Sequence, residues 1–66
     1  MMSKLELEQA VQDRVSVTDE EIIECESDNE AERLVSDALA EEHLMYDKDY
    51  SGYDLLAIIR QIRNEG

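Results

Sequence analysis

The chain has no proline, phenylalanine or tryptophan, two glycines (Gly52 and Gly66) and a single cysteine, Cys25. Each scarcity excludes something. One cysteine rules out a disulfide within the chain, and one Cys with one His, His43, is too few ligands for a structural zinc site. With no proline and one internal glycine, helices must be started and stopped by side chains. No apolar run approaches the roughly 18 residues of a membrane span, and no basic start leads into an apolar segment of signal-peptide type. An unpaired cysteine fits a reducing compartment, so the expectation is a cytoplasmic protein.

Basic residues are also scarce: six Lys and Arg stand against 18 Asp and Glu, for a net charge of −12. The excess is local. Residues 18–50 hold thirteen acids against Arg33 and Lys48 alone, whereas residues 51–66 are neutral. Such a surface repels nucleic acid and anionic membrane and attracts basic protein surfaces or cations.

Sixty-six residues make one domain, 1–66, that buries only about 60% of its unfolded surface. Tidy helix packing or association with a second copy must supply the rest of its stability. The apolar 42% is mostly Leu, Ile, Val and Ala, which suits aliphatic helix packing.

Punctuation comes from Ser or Thr followed three residues later by an acid: Ser3 and Glu6, Thr18 and Glu21, Ser27 and Glu30, Ser51 and Asp54. In such a box the hydroxyl accepts the N3 amide while the acid reaches back to the N-cap amide. Ser16 with Asp19 competes with Thr18 for the same start. After Ser3, Leu7, Ala10, Val11 and Val15 give helical spacing to about Arg14. After Thr18 come three acids, then Ile22, Ile23 and Cys25, a short element for which a small β-hairpin over residues 15–25 is the competing reading.

The third element is the clearest. From Asp28, residues Ala31, Leu34, Val35, Ala38, Leu39 and Met45 keep the spacing of one buried stripe, with Glu30, Glu32, Asp37, Glu41 and Glu42 off it. The fourth runs from Asp54 to about Asn64 around Leu55, Leu56, Ile58, Ile59 and Ile62, with Arg60 and Arg63 near its end where the helix dipole favours them. The expected fold is therefore all-α, a small bundle of three to four short helices joined by short turns. Residues 1–15 have the thinnest apolar face, for which fraying or self-association as a homodimer is expected.

The acidic window is the first candidate site. Glu24, Glu26, Asp28, Glu30, Glu32, Asp37, Glu41, Glu42, Asp47 and Asp49, with Tyr50 as an aromatic contact, are the partner-binding candidates. Residues at i and i+4 on a helix are about 6 Å apart along the axis, of the order of neighbouring phosphates on a DNA strand. The plain alternative is a solvated face. Against it, like charges at Glu20/Glu24, Asp28/Glu32 and Asp37/Glu41 destabilise their own helices, where a merely soluble helix would interleave lysine.

Asp47-Lys48-Asp49-Tyr50-Ser51-Gly52-Tyr53 resembles the front half of an EF-hand loop, with Asp47, Asp49 and Ser51 at ligand positions and Gly52 at the turn. The resemblance then breaks, because Asp54 stands where an aliphatic residue belongs and Ile58 where the bidentate Glu belongs. A helix–turn–helix connection explains the same residues, so calcium is the weaker reading. Tyr46 and Tyr53 are expected to cap the bundle's end. His43 has only Asp47 as a helical neighbour of opposite charge, and a surface histidine with a raised pKa is expected. Cys25 between Glu24 and Glu26 reads as a small buried residue without thiolate character.

No nucleophile–base pair or Gly-rich phosphate loop is present, so neither an enzyme nor a cofactor is implied. The leading expectation is an acidic protein-binding module that covers the basic site of a nucleic-acid-binding protein as a mimic of DNA. In type it resembles the small acidic inhibitors that phages and mobile elements make against host enzymes. The alternative is an adaptor or assembly subunit docking through residues 55–62.

Overall fold

The computed structural model describes residues 2–45 and 52–65. Four α-helices follow in order: α1 (Lys4–Asp13), α2 (Asp19–Glu24), α3 (Asp28–Glu41) and α4 (Gly52–Glu65). There is no strand among the described residues, and α2 occupies the segment for which a hairpin competed. Thr18, not Ser16, starts it.

Three hydroxyls cap as the spacing predicts. Ser3, Thr18 and Ser27 accept the amides of Glu6, Glu21 and Glu30 at 3.2, 3.3 and 3.2 Å. The acid half of each box differs. Glu6 and Glu21 accept from the capping hydroxyls themselves, and Glu30 takes the amide of Glu26, one residue before the cap. Ser51, of the fourth box, lies outside the described residues. Two starts are also stapled by apolar pairs flanking the cap. Met2 and Leu7 bracket the α1 start and Val17 and Ile22 the α2 start, with Leu7, Val17 and Ile22 in the core and Met2 half-buried against it.

With glycine missing, the helix ends are closed by other means. At the end of α1, Arg14 turns extended and its guanidinium donates back to the carbonyl of Val11. The end of α2 receives Arg63 from α4, whose Nη1 donates to the carbonyls of Ile22, Ile23 and Cys25 at 2.7, 3.4 and 2.9 Å. α3 ends in a Schellman motif: the amides of His43 and Leu44 donate to the carbonyls of Ala40 and Leu39. That motif needs a left-handed residue after the cap, and His43 supplies it at φ 59°. The helix thus stops at Glu41, so Met45 is buried from a loop rather than from the helical stripe.

The core joins Leu7, Ala10 and Val11 of α1, Ile22 of α2, Ala31, Val35, Ala38 and Leu39 of α3, and Leu55, Ile58 and Ile59 of α4. α3 and α4 each pack against all three other helices. Val15 is not part of α1's apolar face; it is 84% exposed in the connection to α2, and Leu5 is 73% exposed. None of the described helices is long and apolar enough to cross a membrane.

Candidate functional site

At about 100° per residue, the buried stripe of α3 fixes where each of its acids points. Asp28 precedes Ala31 by three and Val35 by seven, and Glu42 follows Leu39, Ala38 and Val35 by three, four and seven. Both therefore stand in register with the stripe, one at each end, and both turn inward. The Asp28 carboxylate takes Arg63 Nε at 2.8 Å and Arg60 Nε at 3.2 Å, tying the start of α3 to the end of α4. Glu42 is half-buried and accepts the amides of Val15 and Ser16 at 2.7 and 3.3 Å, clasping the α1–α2 connection. The Val15 amide first, with help from Ser16 and Arg14 and against partial burial, holds the Glu42 carboxyl below its ordinary pKa.

Glu42 was expected off the stripe and is on it; its contact with the protein's own backbone removes it from an outward face. Asp28 is likewise engaged from within. Glu30, exposed, is held by the Glu26 amide.

The acids that remain outward divide into two flanks. Glu30, Asp37 and Glu41 share an arc of about 40° on one side of α3, rising by about 10 Å and then 6 Å along the axis. Glu32, half-buried, stands on the opposite flank. Between them runs a line of Asn29, Arg33, Ser36 and Ala40, which carries no acid. Glu24 and Glu26 are exposed at the end of α2 and just beyond it.

The cations are distributed unevenly. Of the five described, Arg14 pairs with Asp19, and Arg60 and Arg63 pair with Asp28. Among the described residues Lys4 and Arg33 make no ion pair, and Glu24, Glu32, Asp37 and Glu41 have none either. No family model, curated protein or solved structure matches this chain. The face must therefore be judged on its own geometry.

Asp47, Asp49, Tyr50 and Ser51, with Tyr46 and the side chain of Tyr53, lie outside the described residues, and the EF-hand-like segment with them. Among the described residues no group of three or more His, Cys, Asp or Glu side chains is placed to hold a metal. His43 is exposed beyond the helix end, so the helical i+4 relation to Asp47 does not apply. Cys25 is half-buried rather than fully buried, free, and hydrogen-bonded through Sγ to the carbonyl of Glu21 at 3.2 Å. Partial burial, then the Glu30 carboxylate, raises its thiol pKa; Arg63 opposes and Glu21 adds to the rise.

Sequence reasoning missed Arg63 and Arg14 as helix-end clamps. A signal existed for the acids, because Asp28 and Glu42 keep the apolar register. None existed for Arg63, whose targets lie 38 to 41 residues away, whereas Arg14 reaches only three residues back to Val11.

Proposed function

We propose that this chain is a non-enzymatic acidic module that binds a basic surface of another protein, one that otherwise holds nucleic acid. The observation that carries this reading is the division of labour among the charges. Arg14, Arg60 and Arg63 are engaged with Asp19 and Asp28, while Glu24, Asp37 and Glu41 stand exposed with no internal cation among the described residues. Asp37 and Glu41 repel one another one turn apart, and a cationic partner relieves that repulsion. Long-range attraction from a net charge of −12 would speed such an encounter and make it fall with salt.

Docking through α4 instead has less to work with. Leu55, Ile58 and Ile59 are at most 8% exposed in the protein's own core, leaving Leu56 and Ile62 half-buried.

The test is a triple variant, Glu24→Lys, Asp37→Lys and Glu41→Lys. All three lie in the C-terminal halves of their helices, where the dipole favours lysine, so the fold should hold and far-UV circular dichroism should be unchanged. Proteins captured from a lysate by the parent chain at low salt, and released by duplex DNA or high salt, should be lost with the variant. Equal capture by both chains would sink the reading.

A further inference from the structure

Between α1 and α4 an open cleft of about 440 Å³ is lined by Val11, Ile58 and Ile62, by Glu8 and Glu65, and by Arg14. That volume lies within the roughly 300–1,000 Å³ range of ligand sites and has room for one residue with its flanking backbone. Val11 and Ile58 are buried and Ile62 half-buried, giving the cleft an apolar floor. Glu65 is exposed at its edge, where Gln61 donates to its carboxylate at 3.5 Å.

Arg14 is the unusual member. Its side chain is 6% exposed, one terminal nitrogen donates to the carbonyl of Val11, and the other pairs with Asp19. Its Nε–H is buried with no acceptor. That nitrogen is closed to solvent, so Arg14 serves the cleft as a fixed wall and not as a donor to a ligand. Asp19 already balances the Arg14 charge, which leaves Glu8 and Glu65 to set the sign of the cleft as negative.

We infer that this cleft receives a lysine or arginine residue of a basic partner protein. The methylene stem would lie on Val11, Ile58 and Ile62, as such stems lie on apolar surface elsewhere. Its cationic head meets Glu8 and Glu65. A small anion meets two carboxylates, and a purely apolar side chain leaves those carboxylates unanswered. This rests on the reading of the chain as a binder of basic protein surfaces, but on residues separate from the outward row of α3.

The experiment is an amide NMR titration of the whole chain with acetyl-Ala-Lys-Ala-amide, against the same peptide carrying norleucine. Saturable shifts are expected at Val11, Arg14, Ile58 and Ile62, with the lysine peptide binding at least about fivefold tighter, the scale of one partly solvated charge contact. The preference should vanish in Glu8→Gln/Glu65→Gln. Gln61→Trp, which covers the cleft from an exposed position, should abolish binding of both peptides. Shifts confined to α3, or equal affinity of the two peptides for the parent chain, would overturn the inference. The triple lysine variant should titrate like the parent. If it does, and the cleft is empty in both, the inference alone fails; if the cleft binds and the triple variant still captures the same proteins, the function reading alone fails.

Discussion

Replacing Arg63 by alanine should remove about 3 kcal/mol from a small margin of stability. Its guanidinium donates to two carbonyls of the α2 end at 2.7 and 2.9 Å and more weakly to a third at 3.4 Å. A hydrogen bond from a charged donor contributes about 1.5–3 kcal/mol, and a buried acceptor left unmade is costly. Two such bonds, partly replaced by water because the side chain is 19% exposed, come to about 3 kcal/mol. The Asp28 pair adds less than about 1 kcal/mol, since that carboxylate is 37% exposed and screened. A chain of 66 residues has roughly 3–10 kcal/mol in all. Arg63→Ala should therefore lower the melting temperature by roughly 12–24 °C, at about 4–8 °C per kcal/mol for a domain of this size. Thermal and urea unfolding followed at 222 nm measures it. Arg63→Lys, which keeps the charge but not the fork, should fall between, and Asp28→Asn should lose about 1 kcal/mol or less. The reasoning is refuted if Arg63→Ala unfolds within about 0.5 kcal/mol of the parent, the scatter of ordinary surface changes. It is equally refuted if Asp28→Asn is as damaging as Arg63→Ala, because the ion pair and not the carbonyl clamp would then be the main contribution.

Two further perturbations test other helix ends. His43 holds φ 59°, a region that costs a side-chain-bearing residue about 1–2 kcal/mol and glycine little. After the extra unfolded-state entropy of glycine, His43→Gly should stabilise by about 1 kcal/mol in urea unfolding; a loss of stability would refute the strain. Glu42 is held ionised by the amides of Val15 and Ser16, so its folded pKa lies below its unfolded value. Its contribution is complete above the unfolded pKa and is lost as pH falls through the folded one. Glu42→Gln should therefore be less stable than the parent near neutrality, with the gap closing below about pH 4, the ordinary carboxylate range. A gap that stays constant from neutral to strongly acid pH contradicts the clasp.

Much of the fold was legible because its signals act within a turn or two. Ser3, Thr18 and Ser27 cap through amides three residues ahead, and the Ala31–Leu39 stripe needs only helical spacing. The end of α3 was not legible, since the apolar rhythm continues to Met45 while a left-handed His43 breaks the helix. Val15 kept the α1 rhythm too, yet the extended Arg14 before it turns the chain and exposes it. The candidate face was legible as a charge excess but not as an arrangement. Read as one surface, it included Asp28 and Glu42, which the structure engages internally, and it did not separate Glu32 from the row of Glu30, Asp37 and Glu41.

The sequence alone determined that this chain is helical, where three of its helices begin, and that its charge is concentrated in one window. Those depend on spacing along the chain. Only the tertiary structure decided which partners Asp28 and Glu42 take and what closes the end of α2. Arg63 reaches the α2 end across 38 to 41 residues, and Glu42 reaches Val15 and Ser16 across 27 and 26. A carboxylate or guanidinium carries the same charge wherever it stands in the chain; its partner is set by which helix ends the core brings together.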